Sequence, residues 1–373
     1  MAVECGGSKF LLGFSDQIAS PMRKVSVASR GFALVLPRFE AEIAKAKQRF
    51  KLADDAPVFS VYEAGYEGFW LHRALVSIGV HNVVIDPSSL RVEQKARRVK
   101  TDRLDLQKLL EDLFRYHRGE KVWRTLTVPT LEEEDERRLT RRRDALCKEK
   151  TMHVNRIKGL LNGNGIKVKN SDLTEEGLAE LKRFDESYLG VELASELRDE
   201  VARLNLVKSQ LAGIKARLVT LLKQARPQSK AVEVAQRLEA LRGIGPISSF
   251  TLALEFFWRS YDNRKQVGAY AGLVDSHWKS DQIDRQQGVS KAGNRRIRTV
   301  MVELAWNWVL WQPESDISRW FQANSGKGKK RLRKVAIVAV ARKLLVALWR
   351  YVEHGVVPGG AIFSRESPET EAA

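Results

Sequence analysis

The stretch Val58-Phe59-Ser60-Val61-Tyr62-Glu63-Ala64-Gly65 decides how the first third of the chain is read. Its β-branched and aromatic residues predict a strand over Val58–Tyr62. An acid stands at the strand's end, and Gly65 then turns the chain away. Sheets flanked by helices collect functional groups at the C-terminal edge of their strands, which is where Glu63 would project. Further candidate strands are Phe10–Phe14, Val25–Ala28 and Val83–Ile85, with helical patterns such as Leu36–Phe50 and Gly68–Ile78 between them. This alternation predicts an α/β domain over residues 1–130, with a mixed sheet covered on both faces.

A second acidic feature lies downstream, in Val99-Lys-Thr-Asp102-Arg-Leu-Asp105. Thr101 suits the cap of a helix starting there, and Asp102 and Asp105, three apart, share one helix face. Two like charges so close repel unless a cation sits between them, and a hard divalent ion bound through oxygen relieves that repulsion. The bland alternative is a solvated acidic first turn favoured by the helix dipole. An acid at a strand end followed by a helical acid pair favours a ribonuclease-H-like or RuvC-like nuclease site. Such a site holds two magnesium ions about 4 Å apart. It also requires an acid on the first strand, and Glu4 in Ala2-Val3-Glu4 is the candidate; Asp16 falls in a turn.

Composition narrows the classes. The 373 residues are 43% hydrophobic and carry a net charge of +18, so a folded core is combined with a surface suited to a polyanion such as nucleic acid. The apolar stretches Thr299–Trp311 and Val335–Trp349 are interrupted by Glu303 and by Arg342-Lys343, so neither reads as a membrane span. No basic segment, apolar core and cleavage site open the chain, so secretion is not expected, and the low cysteine count suits a reducing cytoplasm. Two cysteines, Cys5 and Cys147, cannot build a disulfide framework or a zinc site. The six histidines lack ligand spacing, so any metal is expected to be oxygen-bound.

Residues 131–230 read as long charged helices. Leu197, Leu204, Leu211 and Leu218 recur every seven residues, with Val207, Ile214 and Leu221 between them, a coiled-coil seam of about three heptads. The seam is either one side of an intramolecular helix pair or a dimerisation arm. Residues 231–357 form a mainly α third domain, and 358–373 read as a flexible tail. Between 285 and 343 stand 14 Lys/Arg against 3 Asp/Glu, which concentrates the basic charge on a docking surface.

Leu241-Arg-Gly243-Ile-Gly245-Pro246 resembles a helix-hairpin-helix turn, whose glycines let a phosphate approach the backbone at a helix N-terminus. An ordinary helix–helix turn is the alternative. The run Gly288–Arg298 offers Lys291, Asn294, Arg295, Arg296 and Arg298 as a backbone clamp, or else a solvated basic face. Ser280 sits in His277-Trp-Lys-Ser280-Asp281, read as a loop, with no hydrolase-triad spacing around it. Trp306, Trp308, Trp311, Trp320 and Trp349 fall in helical patterns and read as core.

Several of these motifs occur together. Tyr62-Glu-Ala-Gly-Tyr-Glu-Gly-Phe-Trp-Leu-His-Arg73, Lys100-Thr-Asp-Arg-Leu-Asp105 and Arg115-Tyr-His-Arg-Gly-Glu120 resemble transposases of the insertion sequence 110 family. Arg156-Ile-Lys-Gly-Leu-Leu161, Leu241–Pro246, Tyr270-Ala-Gly-Leu273, Gly288–Arg298 and Ala341-Arg-Lys-Leu-Leu345 extend the resemblance over roughly residues 2–358. It implies a RuvC-like domain, a coiled-coil middle and a C-terminal transposase domain bearing a serine. By position Glu4, Glu63, Asp102 and Asp105 would form the acidic tetrad that holds Mg²⁺, and Ser280 would be the nucleophile. The implied partners are donor and target DNA and a non-coding bridge RNA, with a homodimer or tetramer in a bacterial, nucleoid-associated setting and no membrane. The chain departs from the family pattern at Glu4, where Asp is common, at Asp281, where Gly usually follows the serine, and at Asp275, where Pro is usual. An acid beside the nucleophile disfavours approach of a phosphate, so a weakened copy is one expectation. The rival classes are a metal-dependent junction nuclease with an inert Ser280 and a degenerate nucleic-acid-binding copy.

Overall fold

A computed structural model describes residues 1–17, 21–29, 31–90, 102–280, 283–325 and 330–364. The chain forms two compact units, Met1–Thr130 and Leu131–Ala373.

The first unit runs β1 (Ala2–Cys5), β2 (Lys9–Phe14), β3 (Arg23–Ala28), α1 (Phe32–Arg49), β4 (Phe59–Glu63), α2 (Trp70–Ser77), β5 (His81–Ile85) and α3 (Asp102–His117). The five strands pair in the order β3-β2-β1-β4-β5. β1 pairs antiparallel with β2 and parallel with β4, and β4 pairs parallel with β5, so the sheet is mixed. Alternation along each strand sends side chains to two cores. On one face Val3, Phe10, Leu12, Tyr62 and Val84 pack with Phe39 of α1 and Leu71 and Leu75 of α2. On the other, Ala2, Leu11, Val61 and Ile85 meet Leu106, Leu109, Leu110 and Leu113 of α3. Those four leucines contribute on the order of 8 kcal/mol of apolar burial before chain entropy is set against it. Gly13 lets α3 come close, since a Cβ there would lie 3.3 Å from Leu110 and 3.6 Å from Leu106.

The second unit is mostly helical: α4 (Leu131–Asn162), α5 (Glu175–Ala179), α6 (Val191–Leu222), α7 (Lys230–Glu239), α8 (Pro246–Glu255) and α9 (Arg264–Tyr270). A hairpin follows, β6 (Asp275–Ser280) and β7 (Ile283–Val289), and then α10 (Arg295–Trp311), α11 (Asp316–Asn324) and α12 (Lys330–His354). Leu197, Leu204, Val207, Ile214 and Leu218 are buried within the chain. The α6 residues Leu197, Val201 and Leu204 cluster with Ile157 and Leu161 of α4. Farther along, Val207, Ile214 and Leu218 join the core that contains Leu146 of α4. The heptad seam is thus one side of an antiparallel helix pair inside the chain. Near its N-terminal end lies Glu200, 1% exposed, which receives His153 Nδ1 at 2.6 Å, Arg156 Nη1 at 2.9 Å and Arg203 Nη1 at 2.6 Å. Burial alone would raise its pKa, but these three hydrogen bonds outweigh it and hold the carboxyl at about 2. α8 is the innermost helix; Phe250, Leu252, Ala253 and Leu254 are all buried.

The segment His277–Ser280, read from sequence as a loop, is strand β6 of an antiparallel hairpin. Its polar sequence lacks the apolar alternation that would reveal a strand. Two tryptophans expected in the core are partly exposed: Trp306 (38%) and Trp311 (48%), whereas Trp308 and Trp349 are buried. Trp306 and Trp311 lie beneath the guanidinium groups of Arg333 and Arg242.

Candidate functional site

Two places gather residues able to carry chemistry. The first is the C-terminal end of the parallel strands. β1 and β4 are in register at Ala2–Val61 and Val3–Tyr62. One residue further, Glu4 and Glu63 stand level on neighbouring strands. The pleat puts Glu4 on the face of Ala2 and Glu63 on that of Val61, the face covered by α3. Glu4 is half-buried and Glu63 exposed. Asp102 opens α3, and Asp105, half-buried, lies one turn further along it. Thr101, the candidate cap, lies outside the described residues.

The loop after β4 is pinned. Ala64 N–H donates to Ile85 O, Gly68 N–H to Gly65 O, and Tyr62 Oη to Gly68 O at 2.8 Å. Gly68 has φ 59°, a left-handed conformation that favours glycine. Glu67 accepts a hydrogen bond from Trp70 Nε1 at 2.8 Å. The Cys5 thiol reports the field at this edge. Burial, then the charges of Glu67, Glu4 and Glu63, push its pKa up to about 12. Glu67 therefore joins the acids here, although the sequence reading passed over it; the signal was an acid four residues after Glu63 in the same glycine-containing loop. Asp86, just past β5, is engaged by Arg124 at 3.4 Å. Among the described residues no three His, Cys, Asp or Glu side chains are placed to hold one metal ion. The fold brings Glu4 to Glu63 and does not close a larger ligand set around them with Asp105.

The second place is the β6–β7 hairpin, which ends β6 at Ser280; Asp281 lies outside the described residues. Two sequence motifs clasp its root. Ser290 N–H donates to Val274 O at 2.8 Å, Lys291 N–H to Gly272 O at 3.2 Å, and Asn294 N–H to Tyr270 O at 2.6 Å. The crossing demands glycine: a Cβ on Gly293 would lie 2.4 Å from Gly272 N and 2.6 Å from Tyr270 O. Asn294 caps α10, accepting from the N–H groups of Arg296 and Ile297, and its amide donates to Tyr270 Oη at 3.2 Å. Arg298 Nη1 donates to the carbonyls of Ala271 and Lys291. Arg296 pairs with Asp144 at 2.8 Å and Glu255 at 2.5 Å, and Arg141 binds the same Glu255 through two nitrogens. Of the five clamp residues, Asn294, Arg296 and Arg298 therefore hold the protein together, while Lys291 and Arg295 are exposed. Arg342 of α12 approaches the hairpin root, 4.0 Å from Asp275.

The Leu241–Pro246 turn divides in the same way. Gly243 (φ 94°) packs on α10, since a Cβ there would lie 3.1 Å from Trp311 Cβ. Gly245 is exposed and opens α8, with no atom within 4 Å of where its Cβ would stand.

Residues 235–318, which include the turn, the hairpin and all of α10, match the profile of the IS116/IS110/IS902 transposase family. The chain is 40% identical over 374 residues to y4rJ of Sinorhizobium fredii, which bears the name transposase; the alignment covers 97% of this chain and 93% of that one. The chain belongs to the IS116/IS110/IS902 transposase family. It is also similar to the transposase for insertion sequence element IS1111A of Coxiella burnetii, 27% identical over 62% of this chain and 60% of that one. The transposase for element IS1328 of Yersinia enterocolitica is 24% identical over 82% of this chain and 87% of that one. A transposase of this family cleaves and rejoins DNA, so DNA is its substrate. Among the described residues no helix is long and apolar enough to cross a membrane.

Proposed function

We propose that this transposase joins itself covalently to DNA through Ser280, with Glu4, Glu63, Asp102 and Asp105 as a RuvC-like acidic set that holds Mg²⁺. The observation that carries the reading is the register of β1 and β4, which stands Glu4 level with Glu63 on the face covered by α3. An all-carboxylate donor set suits Mg²⁺, and a divalent cation would relieve the repulsion between the neighbouring acids at this edge. Bound there, Mg²⁺ would neutralise charge on the scissile phosphate and leaving oxygen. Ser280 Oγ attacks phosphorus, its proton leaves to solvent, and the displaced DNA oxygen takes up a proton as the serine–phosphate bond forms. Exposed Lys291 and Arg295 hold the DNA backbone near the hairpin root, and Gly245 offers the free end of α8 to a phosphate. A non-coding bridge RNA selects donor and target, and the α4–α6 coiled-coil region supports a dimer or tetramer through its exposed side. Asp281 beside the nucleophile lowers activity, so Asp281→Gly raises it.

A trapping experiment tests the reading. The protein is mixed with the element's flanking RNA, labelled donor and target DNA and Mg²⁺, then resolved on a denaturing gel beside Ser280→Ala and Asp102→Ala. A DNA-linked protein band that is lost in Ser280→Ala is the expected result. Cleavage without a band, retained in Ser280→Ala and lost in Asp102→Ala, would make the protein a metal-dependent nuclease and overturn the serine step.

A further inference from the structure

An open cleft of about 680 Å³ lies among α4, α6 and the start of α8, outside both places described above. Its charged lining is wholly cationic: Arg143, Lys150 and Lys158 from α4 and Lys215 from α6, with the amides of Asn155 and Asn170 beside them. Arg143 has a carboxylate, Asp144, at 3.2 Å. Among the described residues no carboxylate lies within ion-pair distance of Lys150, Lys158 or Lys215. Elsewhere on the same helices the pattern differs. Arg141 and Arg156 are spent on Glu255 and Glu200, and Arg203 on Glu200 and Asp199. Within the cleft Arg143 alone has such a partner, and Lys150, Lys158 and Lys215 are left without one among the described residues. Val154, Leu211 and Ile247 give it low-dielectric walls, which concentrate a positive field.

The spacing argues for a chain of phosphates over a single one. From Arg143 to Lys158 the cations follow one stripe of α4 over about 22 Å. At about 3.4 Å per nucleotide along a strand, that length spans roughly six phosphates. We infer that this cleft is a nucleic-acid backbone groove, distinct from the serine hairpin and the carboxylate edge. Lys150, Lys158 and Lys215 pair with phosphodiesters spaced along the strand, and Asn155 and Asn170 offer hydrogen bonds to sugar or base edges. Only the class of ligand rests on the transposase reading. Because the test below reads binding, its failure is separable from failure of the trapping experiment.

The full-length protein is titrated with a labelled single-stranded RNA and with a labelled DNA duplex of the same sequence, each over a range of salt. The triple variant Lys150→Glu/Lys158→Glu/Lys215→Glu is compared with Lys9→Glu/Lys24→Glu/Lys121→Glu, which makes the same charge change on exposed positions of the first unit. The cleft variant is expected to bind at least one probe about tenfold more weakly than the control, with the slope of log affinity against log salt reduced by about two. The glutamine triple at the same cleft positions, which adds no repulsion, retains the slope change. Loss confined to RNA assigns the groove to the guide, and loss confined to duplex assigns it to DNA. A cleft variant that matches the control in affinity and slope for both probes overturns the inference.

Discussion

In the first unit the candidate acids stand at the ends of neighbouring parallel strands, whereas in the second unit Ser280 stands on a two-stranded hairpin held at its root by backbone crossing. The strand-end acids inherit their placement from the whole sheet, since the register of β1 on β4 is backed by cores on both faces. The hairpin has no sheet behind it. Its orientation depends on three backbone hydrogen bonds and on the absence of one side chain at Gly293. The difference teaches that one site is insured by burial and the other by close approach, so the two should fail differently.

The largest effect should come from the strand edge. Glu63→Gln keeps shape and removes charge, and DNA cleavage should fall by about a thousandfold or more with thermal stability unchanged, read by gel assay and melting curve. A variant with full activity would remove Glu63 from the site. At the hairpin, activity and stability should fall together. Gly293→Ala drives a methyl group into backbone atoms of Gly272 and Tyr270, which no rotamer can relieve, at a cost of about 3 kcal/mol. Chemical denaturation would measure this; a change under 1 kcal/mol would mean the clasp is not rigid.

The helix pair offers a similar loss with no direct link to chemistry. Glu200→Ala strips the partner from His153, Arg156 and Arg203 and should cost about 3 kcal/mol. The folded pKa of Glu200, about 2, is below its ordinary 4.5. Its contribution is therefore fully present above about pH 4.5 and is lost as pH falls toward 2. Wild type and Glu200→Ala should converge in stability across that window, and a constant difference would show that the charge is not what stabilises. The smallest effect belongs to Asn294→Ala, which removes the α10 cap for about 1 kcal/mol and loosens the hairpin root through Tyr270. Hydrogen exchange should rise at Arg296 and Ile297 first; uniform protection would place the cap outside the clasp.

Part of this molecule was legible residue by residue. β2 to β5 lie where Phe10–Phe14, Val25–Ala28, Val58–Tyr62 and Val83–Ile85 predict them; the runs of β2, β4 and β5 are apolar enough to be buried, and edge strand β3 buries only Val27. α1 follows from the pattern at Leu36–Phe50, and the heptads of α6 announced a buried stripe. The sequence could not say what filled that stripe, since an apolar seam is satisfied equally by α4 and by a second copy. The β6–β7 hairpin escaped notice because its sequence lacks apolar alternation and its root is closed by backbone hydrogen bonds between Tyr270–Val274 and Ser290–Asn294.

The basic run Gly288–Arg298 shows the same division. Its charge and its glycines are properties of the sequence, and they point to a polyanion surface. Which cations remain for that surface was decided by tertiary structure. Glu255 of α8 and Asp144 of α4 claim Arg296, and two carbonyls claim Arg298, leaving Lys291 and Arg295 exposed. The strand acids divide likewise. Glu63 at a strand end is visible in one line of sequence, but its alignment with Glu4 needs nearly sixty residues of intervening chain to return to the same sheet edge. Local pattern determines which residues can be buried or charged; only the packed structure decides which of them meet, because meeting depends on register and close approach between segments that are remote in the chain.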